Sequence, residues 1–190
     1  MKQRKKFKKV FIDLEYTGQH QFTTLVSIGM VGENNEELYL TFNDYDQTQV
    51  TNWLKKNVIN EIDSSKSISK MDGLKKIQKW LNDYRKNESI SFVSFGKTND
   101  LILLFQLWHT KSLNIKYFHY LHYLPDFINH SSHFDLTTIF SLAGIDPDID
   151  REDFLNLPKG ERHHPLYDAK IVKECYEKLL SKTNFPFYFK

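Results

Sequence analysis

Residues 11–18 read FIDLEYTG, an apolar run with the look of a buried strand that Asp13 and Glu15 interrupt. Side chains two apart on a strand share a face, so the two carboxylates project together while Ile12 and Leu14 point the other way. One unpaired buried carboxylate is already costly, and two side by side raise each other's pKa unless a cation neutralises them. Two readings are open for the pair alone. Either the strand ends in solvent and both charges are hydrated, or the fold brings a cation to them. Oxygen donors with no thiolate nearby suit magnesium or manganese better than zinc.

The order of hydrophobic patterns says what such a strand sits in. A strand over about residues 8–15 is followed by one in TTLVSIGMVG and one in EELYLTF, with the turn-like ENNEE between the last two. Three strands in series predict an antiparallel meander. Helical spacing follows at Val50, Trp53, Leu54 and Val58, then at Leu74, Ile77, Trp80 and Leu81. The strand SISFVSF leads into GKTNDLILLFQLW, whose Thr98, Asn99 and Asp100 are helix-opening residues. The segment YFHYLHYLPDFI reads as part strand and part loop. Asp135 is placed to cap LTTIFSLAG, with Gly144 as its terminator, and a last helix starts near Pro165. Strands first, then helices interleaved with strands, predict a mixed α/β sheet covered by helices.

At 190 residues, 40% hydrophobic and 26% charged, the chain is expected to form one domain with a core that needs no disulfides. No apolar run is long enough to span a bilayer, and the basic start MKQRKKFKK is followed by an apolar stretch broken by Asp13 and Glu15. No membrane association and a cytoplasmic location are therefore expected. Net charge is only +2, yet six of the first nine residues are Lys or Arg. Residues 1–8 read as a basic tail, either a phosphate-gathering patch or a solvated end. Cys175 alone excludes an internal disulfide and reads as a small core residue within a helical pattern.

Two more acidic positions fall where strands and helices of an α/β fold meet. Asp100 follows a strand, in the first turn of a helix, where favourable interaction with the helix dipole is the simpler explanation. Asp168 lies in the first turn of the last helix, five residues after His163. His163 is either a surface loop histidine or a group free to aim at whatever the carboxylates hold; an unperturbed imidazole, with a pKa of ~6.5, accepts a proton from water near neutral pH.

Taken together, FIDLEYTG, GKTNDLILLFQLW and HHPLYDA resemble the three motifs of the DEDD superfamily of 3′-to-5′ exonucleases, in its histidine-containing branch. The first is close in wording to that of oligoribonucleases. LVSIGMVG, TFNDYDQTQVTNWLKKNVI and QLW resemble the small bacterial and phage exoribonucleases of the RNase AS type, and the likeness runs from about Val10 to Leu180. The resemblance implies a ribonuclease H-like fold, a mixed sheet of antiparallel meander plus parallel strands flanked by helices. It implies that Asp13, Glu15, Asp100 and Asp168 hold two Mg2+ or Mn2+ ions, with Asp13 bridging them, and that His163 is the general base. Expected products are nucleoside 5′-monophosphates, released one at a time from the 3′ end of a single strand, RNA favoured over DNA; the alternative is a 3′-to-5′ exodeoxyribonuclease on single-stranded DNA of the repair, proofreading or phage type. A homodimer is an expectation by resemblance. A non-catalytic nucleic-acid binding module is the reading the full acidic set argues against.

The chain departs from the family at Pro165, where alanine is usual. Pro165 restricts His164 to extended backbone and stiffens the loop. His164 is a rival base, since another branch places a tyrosine four residues before the last aspartate. Tyr16, Thr17 and Gly18 are expected to contact the terminal nucleotide, Tyr16 by stacking and Gly18 by close backbone approach, although a buried tyrosine and a turn glycine explain them equally. Lys97, Lys159 and Arg162 flank the later motifs and could hold phosphate oxygens or be solvated loop charges. His119, His122, His130 and His133 invite a zinc reading, against which Pro125 and the surrounding aromatics favour packing.

Overall fold

In the computed structural model, residues 7–96, 98–111, 120–128 and 130–181 are described. Lys97, His119 and residues 1–6 of the basic tail lie outside them. Five strands form one sheet in the order β3-β2-β1-β4-β5. They are β1 Phe7–Tyr16, β2 Leu25–Gly32, β3 Glu37–Thr41, β4 Ser89–Ser94 and β5 Phe134–Asp135. The first three make the antiparallel meander predicted from sequence. β4 then pairs parallel to β1, and β5 parallel to β4.

The helices are α1 Asn52–Asn57, α2 Lys70–Arg85, α3 Thr98–Gln106, α4 Tyr120–Tyr123, α5 Leu136–Leu142, α6 Arg151–Leu155 and α7 Pro165–Ser181. They divide between the two faces of the sheet as the period of β1 dictates. Val10, Ile12 and Leu14 enter a core with Leu74, Ile77 and Leu81 of α2 and Leu103 and Leu104 of α3. Phe11 faces the other way, into a core with Ile139 and Phe140 of α5 and Ile171, Val172 and Cys175 of α7. Asp13 and Glu15 continue the Phe11 face, so they emerge under the start of α7.

Three local devices bring the later motifs to that spot. The β1–β2 register slips between Glu15 and Tyr16, a local irregularity that bends the strand beside the carboxylates. The parallel pairing of β1 with β4 leaves the carboxyl ends of both strands at one edge, so the helix following β4 delivers Asp100 there. Gly29 lies directly opposite Asp13 in β2. A Cβ on Gly29 would stand 2.3 Å from the carbonyl carbon and oxygen of Pro165. The missing side chain is what lets α7 begin against the strand.

Asp135 caps α5, accepting from the N–H groups of Thr137 and Thr138, and Gly144 closes it at φ +71. Helix α6 has no counterpart in the sequence reading; five residues make too few turns to show a periodicity. In the YFHYLHYLPDFI segment the described residues form the short α4 and a bridge between Ile128 and Ile90. His133, half-buried, accepts the Phe92 N–H at 3.0 Å and packs against Phe92 and Phe105, so it serves in packing. Among the described residues, the zinc reading finds no ligand cluster there. Cys175 is buried, and burial pushes its thiol up to about 12. Among the described residues no helix is long and apolar enough to cross a membrane.

Candidate active site

Asp13, Glu15 and Asp168 each offer a carboxylate oxygen, all within 4.8 Å of one another. Asp100, from the first turn of α3, is buried on the wall of the same cavity of about 600 Å³, although it stands outside that tight trio. Burial, then the charge of Asp168, pushes the Asp13 carboxyl up to about 8, against the pull of Arg151. Glu15 rises to about 8 through burial, then through Asp13 and Asp168. Asp100 is held well above the usual range by burial, then by Asp13 and Glu15. Asp168 is raised by burial, which Arg151 and the His163 N–H oppose.

All four carboxyls are raised chiefly by burial, and too little positive charge reaches them to offset it. Arg151, the first residue of α6, holds its guanidinium 3.8 Å from Asp13 Oδ1 and 3.5 Å from Asp168 Oδ1, over the Phe95 ring. One guanidinium leaves most of that charge unbalanced. A convergent, oxygen-only, largely buried and under-neutralised donor set fits hard divalent cations.

His163 Nδ1 lies 3.6 Å from Glu15 Oε1. Its backbone is left-handed at φ +66, rare for a residue with a side chain. Two contacts hold it there: its N–H donates to Asp168 Oδ2 at 2.9 Å, and the Trp53 ring meets the imidazole edge-on at 4.8 Å between centroids. His164 is employed differently. Its carbonyl accepts the Asp168 N–H, its Nδ1 faces the Tyr167 N–H, and its ring packs against Tyr39, so it caps α7 ahead of Pro165.

Tyr16, Thr17 and Gly18 line the cavity. The Tyr16 hydroxyl accepts from Gln19 Nε2 at 2.9 Å. Thr17 is buried, its hydroxyl donating to Gln49 Oε1 at 2.5 Å and accepting from the Thr24 N–H. Arg162 also lines the cavity, paired with Asp150 and Glu152, whereas Lys159 pairs with Asp150 and Asp153.

Sequence reasoning missed Arg151 and Glu152. Glu152 is 2% exposed and ties down the loop that carries His163. It accepts from the Tyr167 hydroxyl at 2.7 Å, the Gly160 N–H at 2.7 Å and Arg162 Nε at 3.2 Å. The one signal available was Asp150, whose carboxylate caps α6 through the N–H groups of Glu152 and Asp153.

Strand order, helices on both faces of the sheet and an acidic cluster at the end of the central strand define a ribonuclease H-like fold. The chain superposes on the crystal structure of cell-death related nuclease 4 (CRN-4) with a TM-score of 0.65 at 15% identity, over 91% of this chain and 63% of that one. It therefore spans under two thirds of the CRN-4 chain's length. It superposes on a full-length 3′-exonuclease with a TM-score of 0.66 at 11% identity, over 93% of this chain and 83% of that one. At such identities these likenesses establish the fold. No curated protein sequence matches the chain. The model of the Rv2179c-like 3′-5′ exoribonuclease domain matches residues 8–180, and the chain belongs to that family.

Proposed function

We propose that the protein is a divalent-metal-dependent 3′-to-5′ exoribonuclease that hydrolyses single-stranded RNA to nucleoside 5′-monophosphates. The observation that carries this reading is the convergence of Asp13, Glu15, Asp168 and Asp100 with His163 on one cavity, in a chain of an exoribonuclease family. Asp13, Glu15, Asp100 and Asp168 would hold two Mg2+ or Mn2+ ions. Such ions supply Lewis-acid activation of water and neutralise charge developing on the phosphate.

The chain's own residues supply the remainder. With Nδ1 of His163 turned toward Glu15, Nε2 is left to take the proton from the attacking water. The water oxygen bonds to the terminal phosphorus as its proton passes to His163, the bond from phosphorus to the 3′-oxygen of the preceding nucleotide breaks, and that oxygen leaves as an alkoxide that takes a proton from solvent water to become the 3′-hydroxyl. Asp168 fixes the aim of His163 through the backbone N–H, and Trp53 limits its ring rotation. Tyr16 to Gly18 border the space for the terminal nucleotide.

The test is incubation of 5′-labelled and 3′-labelled RNA and DNA oligonucleotides of one sequence with Mn2+. The reading expects label released as 5′-monophosphate from the 3′ end, faster from RNA. Equal or faster release from DNA would overturn the RNA assignment, and release from neither polymer would overturn the nuclease assignment.

A further inference from the structure

A second hollow of about 410 Å³ lies against the first, between the loop after β1 and the outer side of α3. Gln19 belongs to the walls of both. Four carboxamides, of Gln19, Gln21, Asn99 and Gln106, line it beside His20 and the partly exposed Ile102. Among its described lining residues there is no Lys, Arg, Asp or Glu. Asn99 precedes Asp100 in the same turn of α3, so the hollow opens within one helical turn of the acidic site.

This chemistry selects against a phosphate, which calls for cations or charge-assisted donors. Carboxamides present both donors and acceptors, which match the edges of a nucleobase, and an aliphatic side chain gives a flat ring something to lie on. The acidic cavity, at about 600 Å³, is of a size to take a whole terminal nucleotide. The bond to be cut joins that nucleotide to the one before it. We propose that the amide-lined hollow receives the base of this preceding nucleotide, making Gln21, Asn99 and Gln106 determinants of how the strand is gripped upstream of the cut. The proposal deepens the exoribonuclease reading and rests on it.

The experiment compares kcat/KM on a short single-stranded RNA and on the same RNA with an abasic residue at the position before the 3′-terminal one. Both are measured for the wild type and for a Gln21→Ala/Gln106→Ala double variant, two exposed positions. For the wild type, removing that base is expected to lower kcat/KM about tenfold or more, the discrimination typical of a paired amide and base edge. The double variant is expected to lose a similar factor on the intact RNA and little more on the abasic one, because both changes remove the same contact. Equal rates of the wild type on the two RNAs, or losses that simply multiply, would overturn the second subsite while leaving the nuclease assignment standing. No monophosphate from the intact RNA would overturn both.

Discussion

Burial, then the charge of Asp168 on Asp13 and of Asp13 on Glu15, pushes both carboxyls up to about 8 and favours their protonated forms. Between the ordinary carboxylate range near 4 and about 8, the folded protein holds protons that the unfolded chain releases, so stability falls as pH rises through that window. Glu152 acts in the opposite sense. Its pKa is lowered, chiefly by the Tyr167 hydroxyl, so its contribution is present above the ordinary range and lost in acid below it. Metal-free protein is therefore expected to melt at a lower temperature at pH 8 than at pH 5.5. Asp13→Asn should flatten that drop, and Mn2+ should raise the melting temperature more at pH 8 than at pH 5.5. Thermal melts in chelator and in Mn2+ check this; a metal-free melting temperature that climbs from pH 5.5 to pH 8 would contradict it.

At the scale of elements, the site depends on where α6 and α7 start. Gly29 sets the approach of α7, and a methyl group there meets backbone atoms of Pro165 rather than a yielding side chain. Gly29→Ala is expected to destabilise by about 1 to 3 kcal/mol, the usual cost of overpacking. Because it shifts the helix that presents Asp168 and follows His163, monophosphate release should drop by about a hundredfold, the penalty typical of a misplacement near 1 Å. Melts and single-turnover rates on one preparation check the pair of effects; unchanged rates with lowered stability would show that α7 is not aimed by this contact.

Glu152 does for the His163 loop what Gly29 does for α7. Glu152→Ala leaves the Tyr167 hydroxyl and the Gly160 N–H without their acceptor and should cost about 2 to 3 kcal/mol. Tyr167→Phe removes a single bond and should cost about 1 kcal/mol. Chemical denaturation measures both, and equal values for the two variants would mean that Glu152 is not the hub of the loop.

Across the whole molecule, what could be read from sequence was what short-range physics controls. The meander follows from alternation, α2 and α7 from their periodicity, and the shared face of Asp13 and Glu15 from the period of a strand. The assembly of Asp100, His163 and Asp168 beside that pair was legible only through the resemblance of three motifs, since nothing local links residues 150 positions apart. What stayed hidden is set by tertiary contact. Arg151 reads in sequence as one more surface cation, and only the packing of α6 against α7 turns it toward two carboxylates. Glu152 reads as solvated until the loop folds over it. Which of His163 and His164 lines the cavity was set by a backbone angle: at φ +66 the first lines it, while the next caps the helix.

The measurement that bears most directly on the central claim is monophosphate release from the 3′ end of single-stranded RNA, followed in chelator, after Mn2+ is restored, and for Asp13→Ala in Mn2+. No release is expected in chelator, and recovery is expected with the metal. A loss of at least about a thousandfold is expected for Asp13→Ala, since that carboxylate is among those proposed to hold the ions, which would supply several kcal/mol of transition-state stabilisation. Turnover that survives chelation, or an Asp13→Ala protein as active as the wild type, would contradict it.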